Sequence, residues 1–179
     1  EIIGVTPGLA DYSALALVIT SKGSYFIADT QIRPNPTAEE LAEMAALAAV
    51  HVPRFGIKPK VAFLSHSDFG SYDSSSAQKM RRATEILVND HPEIEADGEM
   101  QGDSALTALS RQLVLPHSRL EGSANILIMP NLDAANIAYQ MIKILADALP
   151  VGPILIGPAR PAHILTPSVT ARGILNMTA

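Results

Sequence analysis

Three polar loops, each following an apolar run, carry the residues best suited to chemistry. The first is Ser65-His66-Ser67-Asp68-Phe69-Gly70-Ser71-Tyr72-Asp73-Ser74-Ser75-Ser76. Its hydroxyls precede a helix-forming segment, so Ser65 and Ser67 could hold an anion together with backbone N–H groups. Purely local roles in turns and caps use the same residue types. The second is Pro130-Asn131-Leu132-Asp133-Ala134-Ala135-Asn136, where Asp133 is placed as a helix N-cap and Asn131 and Asn136 offer amides to a ligand or an interface. The third, Gly157-Pro158-Ala159-Arg160-Pro161-Ala162-His163-Ile164-Leu165-Thr166-Pro167-Ser168, combines a cation, an imidazole and two hydroxyls in Arg160, His163, Thr166 and Ser168. A guanidinium is a planar fork for phosphate or carboxylate, and the prolines stiffen the backbone that aims it. A surface arginine in a rigid loop is the competing reading.

Other chemistries lack their residues. His51, His66, His91, His117 and His163 show no metal-ligand spacing, so no metal site is expected. Without cysteine there is no disulfide, thiolate nucleophile or Cys-ligated zinc. No Gly-x-Gly-x-x-Gly, Walker loop or Gly-x-Ser-x-Gly elbow occurs. From the residues alone, the furthest expectation is a small anionic ligand.

Alternating strands and helices must position these loops. Apolar runs over 15–20 and 24–28, separated by Ser21-Lys22-Gly23, predict an antiparallel hairpin. A helix follows from Thr37 to about Val52, with Thr37 and Glu40 as a capping box and Leu41, Met44, Leu47 and Ala48 on one apolar face. Pro53 and Phe55-Gly56 end it. The alternation continues as a strand over 61–64, a helix over 77–88, a strand near Ile94 and a helix over 105–115. It closes with a strand over 126–129, a helix over 134–145, a strand over 152–156 and a final helix-like run from Gly173. Such alternation predicts a three-layer α/β domain, with ligands gathered beyond the carboxyl ends of the strands.

Composition narrows the partners. The chain has 179 residues, of which 47% are apolar and 17% charged, enough for one domain with a real core. A formal net charge of −5 and only four Phe, four Tyr and no Trp disfavour nucleic acid. No apolar run approaches the ~18 residues of a membrane span, so a soluble protein is expected. The abrupt apolar beginning and end predict a piece of something longer.

Several strings together resemble phosphotransacetylase, the phosphate acetyl/butyryltransferase family. They are Ala28-Asp29, Asn35-Pro36-Thr37-Ala38-Glu39-Glu40-Leu41-Ala42, Asp97-Gly98-Glu99-Met100-Gln101, Pro130-Asn131-Leu132-Asp133-Ala134-Ala135-Asn136-Ile137-Ala138-Tyr139 and Gly152-Pro153-Ile154. The match is colinear and leaves out the N-terminal half of the family's two-lobed unit. It implies an isocitrate/isopropylmalate-dehydrogenase-like fold, mostly its second lobe, with a hairpin-bearing edge. Residues 1–156 would form the α/β lobe, and residues 157–179 the loop and helix leading back to the first lobe.

Within the family, the runs from Val61 to Ser71 and from Pro161 to Thr170 resemble the C-terminal phosphotransacetylase-like domain of bacterial malic enzymes. Active transacetylases carry Asn-Asp-Leu-Ser-Arg-Gly where this chain has His163-Ile164-Leu165-Thr166-Pro167-Ser168, and an Asp where it has Gly173. They carry Lys at Phe69, whereas Arg160 replaces another Lys and keeps a cation. Acetyl transfer between sulfur and phosphate needs a base and a cation to stabilise the tetrahedral intermediate. Pro167 and Gly173 can supply neither, so no catalytic residue is expected.

The resemblance therefore implies a regulatory domain that senses acetyl-CoA through Arg160, His163, Thr166, Ser168, Ser65, Ser67, Asn131 and Asn136. It also implies a homo-oligomer, a cytoplasmic setting, and a malic enzyme catalytic domain in the same polypeptide that holds NAD(P) and a divalent metal. An active phosphate acetyltransferase and a pure oligomerisation scaffold are the alternatives.

Overall fold

Side-chain alternation along the strands decides the architecture. In the computed structural model, which describes residues 3–165 and 169–178, the strands are β1 (Ser13–Thr20), β2 (Gly23–Ala28), β3 (Lys60–Leu64), β4 (Glu95–Met100), β5 (Ile126–Ile128) and β6 (Leu149–Ile156). They form a six-stranded sheet in the order β4-β3-β5-β2-β1-β6. β2, β5, β3 and β4 run parallel, while β1 is antiparallel to both β2 and β6. The hairpin expected at an edge thus lies inside the sheet, because β6 pairs with the outer side of β1. The continuous burial of residues 13–18 is the physical counterpart of that position.

The helices are α1 (Ala38–His51), α2 (Ser75–Asp90), α3 (Gly102–Leu106), α4 (Ala108–Val114), α5 (Leu132–Leu145) and α6 (Ala171–Thr178). Leu15, Leu17, Phe26, Val61, Phe63, Ile126 and Ile128 pack with Leu41 and Met44 of α1 and Met80 and Leu87 of α2. Their strand neighbours Val18, Ile27, Ala62, Leu64 and Leu127 point the other way, onto Ala105 of α3 and Ala135 of α5. The period of two therefore gives the sheet a helical layer on each face.

The capping box of α1 is formed. Thr37 Oγ1 accepts from Glu40 N–H at 3.2 Å, and Glu40 Oε2 accepts from Thr37 N–H at 2.7 Å. A 3₁₀ turn, Val52–Phe55, extends α1 and stops at Gly56 in the left-handed conformation (φ 71°).

Two expectations need correction. The strand expected near Ile94 spans Glu95–Met100, a polar segment whose Asp97 and Glu99 are buried because neighbouring groups satisfy them. The expected single helix over 105–115 is two short helices, broken at Thr107 (φ −128°, ψ 110°). The break accompanies an inward Arg111, which donates to the carbonyls of Ser104, Leu120 and Gly122 at 2.8, 2.9 and 2.6 Å.

Both sheet edges are blocked against pairing with another chain. Along β4, Ser118 Oγ and Arg119 N–H donate to Asp97 Oδ2, and Glu121 N–H donates to Glu95 Oε1. β6 contains Pro150 and Pro153, which have no N–H to offer. Beyond it the chain folds back, pairing His163 with Ile154.

Candidate functional site

Because β6 runs antiparallel to β1, its carboxyl end points the same way as those of β2, β3, β4 and β5. All three polar loops therefore leave one end of the sheet, as sequence pattern predicts. They are spread along it, however. β3 and β6 stand four strand spacings apart, about 19 Å at ordinary sheet geometry.

In the first loop, the Ser67 hydroxyl is committed inward and that of Ser65 accepts a local bond. Ser67 is fully buried; its Oγ donates to Glu99 Oε1 at 2.9 Å and accepts from Tyr72 N–H at 3.0 Å. Ser65 Oγ accepts from Ser67 N–H at 3.1 Å. Glu99, also fully buried, accepts from Gly70 N–H at 2.9 Å and from Arg81 Nε and Nη2 at 3.0 and 3.1 Å. Burial pushes the Glu99 carboxyl up, but the Arg81 guanidinium, Gly70 N–H and Ser67 hydroxyl outweigh it and hold it below the usual carboxylate range.

In the second loop, Asn131 is the N-cap of α5, its Oδ1 accepting from Ala134 N–H at 2.9 Å. The cap expected at Asp133 is thus two residues earlier, and Asp133 sits exposed in the first turn, where a carboxylate suits the helix dipole. Asn136 Nδ2 donates to Thr30 O at 3.2 Å, tying α5 to the loop after β2.

The third loop differs. Arg160 and His163 are exposed and, among the described residues, their side chains have no hydrogen-bond or ion-pair partner. Both line a groove of about 610 Å³ between β6, the end of α1 and the returning chain. Its lining also includes the apolar Leu47, Val50, Val151 and Ile154, and His51, Arg54 and Phe55 from the end of α1 and the 3₁₀ turn. Residues 4–6 brace the loop: Thr6 N–H donates to Gly157 O at 2.8 Å, Thr6 Oγ1 to Pro158 O at 3.1 Å, and Ala159 N–H to Gly4 O at 2.9 Å. The chain thus reaches Arg160 from a fixed point, which lowers the ordering cost of binding. Thr166 and Ser168 lie outside the described residues.

His51, Arg54 and Phe55 escaped sequence reasoning. They follow the last turn of α1 and read there only as helix-terminating chemistry; no spacing links residue 54 to residue 160. Burial, and then the neighbouring Arg54 charge, lower the His51 pKa and keep its ring neutral near pH 7. Among the described residues, no group of three or more His, Asp or Glu could hold a metal ion.

A family model for phosphate acetyl/butaryl transferase matches residues 1–179. The chain belongs to the phosphate acetyl/butaryl transferase family. Over its whole length this family domain is 52% identical to a NAD-dependent malic enzyme of Rhizobium meliloti and 46% identical to a NADP-dependent malic enzyme of Escherichia coli, covering 23% and 24% of those proteins. It superposes on a phosphotransacetylase from Streptococcus pyogenes with a TM-score of 0.95 at 34% identity, over 99% of this chain and 55% of that one. The family domain therefore spans about a quarter of the length of these malic enzymes and about half of a phosphotransacetylase.

Two positions where the resemblance implies lost catalytic groups are visible in the family domain. Phe69, in place of Lys, is partly buried and packs against the core shared by α3 and α5. Gly173 lies in the first turn of α6, where its N–H donates to Thr170 Oγ1 at 3.0 Å and an added Cβ would stand 3.2 Å from Val169 Cγ2. Pro167 lies outside the described residues.

Proposed function

We propose that this chain is the non-catalytic, regulatory phosphotransacetylase-like domain of a bacterial NAD(P)-dependent malic enzyme, which decarboxylates malate oxidatively to pyruvate. It binds acetyl-CoA or CoA and supports assembly of a homo-oligomer. The catalytic domain, with its NAD(P) and divalent metal, belongs to another part of the same polypeptide. Residues 1–156 are the second lobe of an isocitrate/isopropylmalate-dehydrogenase-like fold, and residues 157–179 lead back to the first.

One observation carries this reading: two unpaired guanidiniums and an unpaired imidazole line an apolar groove beside β6 in a chain of net charge −5. Cations left without carboxylates are suited to an anionic ligand, and the apolar lining suits an acyl or pantetheine body. Phe69 and Gly173 support the loss of turnover, because neither can hold charge on a tetrahedral intermediate. A ligand that binds one conformation of the whole enzyme more tightly shifts its activity without chemistry in this domain.

The test is an acetyl-CoA titration of malate oxidation by the full polypeptide and by its Arg160→Ala variant. Loss of at least tenfold in acetyl-CoA sensitivity, with basal turnover retained, is expected. Identical regulation would remove Arg160 from the site.

A further inference from the structure

We propose that Arg54 and Phe55 form a recognition site for a phosphorylated nucleoside group in the β6 groove, on a separate element from Arg160. The inference rests on the CoA-binding reading and assigns the part of the ligand that the third loop does not address.

Arg54 is exposed and, among the described residues, has no carboxylate or carbonyl partner. Its neighbour Phe55 is fixed by an edge-on contact with the buried Phe26, with ring centroids 5.3 Å apart and planes at 62°. Phe55 nevertheless remains 42% exposed and lines the groove. An aromatic ring held from behind and open in front is a platform for a planar base, and an unpaired guanidinium beside it in the chain suits phosphate oxygens. The 3₁₀ turn sets the order: it starts at Val52, Pro53 stiffens it and Gly56 closes it in the left-handed conformation, so Arg54 and Phe55 leave a rigid corner. The contact with Phe26 accounts for the inner edge of the Phe55 ring; the Arg54 guanidinium has no partner among the described residues.

Arg160 and His163 reach the same groove from the loop after β6, a separate element. Guanidiniums from two separate elements beside an apolar lining suit a ligand that joins several phosphates to a neutral arm. CoA has that form, with its 3′-phosphate and diphosphate on adenosine and an uncharged pantetheine arm ending in the thiol or thioester.

The test is calorimetric titration of the full polypeptide and its Arg54→Gln, Arg54→Lys and Arg160→Gln variants with CoA, adenosine 3′,5′-bisphosphate and pantetheine, alongside thermal melts. Arg54→Gln is expected to weaken CoA and the bisphosphate about tenfold, leave pantetheine unchanged, and melt with the unaltered chain. Arg54→Lys should recover part of the loss. If Arg160→Gln weakens CoA while Arg54→Gln does not, the inference is overturned and the CoA-binding reading stands. If the unaltered chain binds neither CoA nor the bisphosphate, both fall together. Bisphosphate binding that depends on Arg54, without CoA binding, upholds the nucleotide site and overturns the broader reading.

Discussion

Ser67 shows how a residue type that suits a ligand site can be used otherwise. Its hydroxyl is one of several donors to the buried Glu99 carboxylate, so Ser67→Ala leaves that carboxylate short of a partner. A loss of about 2 kcal/mol in unfolding free energy is expected, measured by urea denaturation, with acetyl-CoA affinity unaltered. A stable variant with weakened affinity would instead place Ser67 at the ligand. Glu99 itself gives a pH signature. Its folded pKa lies below the unfolded value of about 4.3, so its stabilisation is complete above that pH and is lost as pH falls through the folded value. Glu95, pushed up by burial but held lower overall by Lys58, the Glu121 N–H and Lys60, acts in the same direction. The melting temperature should fall steeply below about pH 4, and Glu99→Gln should flatten that limb; equal slopes would contradict the assignment. At this scale sequence reading singles out the loop that carries Arg160 and His163, because prolines and polar residues after an apolar run are a local signal, and the structure places both side chains on a groove. It does not reach Arg54, nor the bonds of Ser67 to Glu99 and of Asn136 to Thr30, since those depend on which distant partner the fold brings near, whereas Ser65 and Asn131 bond within three residues in their own loops.

Helix α5 carries a second surface that the fold leaves uncovered. Ala134, Ala135, Ala138, Tyr139 and Ile142 pack onto the sheet. Ile137 and Met141 are more than half exposed, and Ile144 and Leu145 are 73% and 79% exposed. Burying a large apolar side chain is worth about 1.5–3 kcal/mol, whereas association costs about 4–15 kcal/mol. The four side chains of this stripe, contributed by each of two copies, are of the order of that cost, so the stripe is suited to contribute to self-association. The double variant Ile144→Glu, Leu145→Glu is expected to weaken self-association of the chain at least tenfold by sedimentation equilibrium, with its melting temperature retained. An unchanged association constant would remove α5 from the interface. The elements themselves are largely legible: the Thr37–Glu40 box starts α1 as expected, and the apolar runs become β1, β2, β3 and β5. The misses have physical causes. β4 is polar because its carboxylates are satisfied from outside the strand, and the break at Thr107 has no Gly or Pro to announce it.

For the whole molecule, the arrangement is a family scaffold in which the loop leaving the carboxyl end of β6 presents Arg160 without a partner among the described residues. Phe69 packs, partly buried, against the core, and a glycine stands at residue 173. Mixed strand direction puts all the polar loops at that end, although their order across the sheet depends on β6 returning outside β1, a long-range pairing with no local sequence signature. The central proposition is that recognition of acetyl-CoA persists where acetyl transfer does not. Its most direct test incubates the full polypeptide with acetyl-CoA and inorganic phosphate, following ligand binding by calorimetry and acetyl phosphate chemically in the same samples. Saturable binding without acetyl phosphate above the uncatalysed background is expected; sustained acetyl phosphate formation, or no binding, would contradict it.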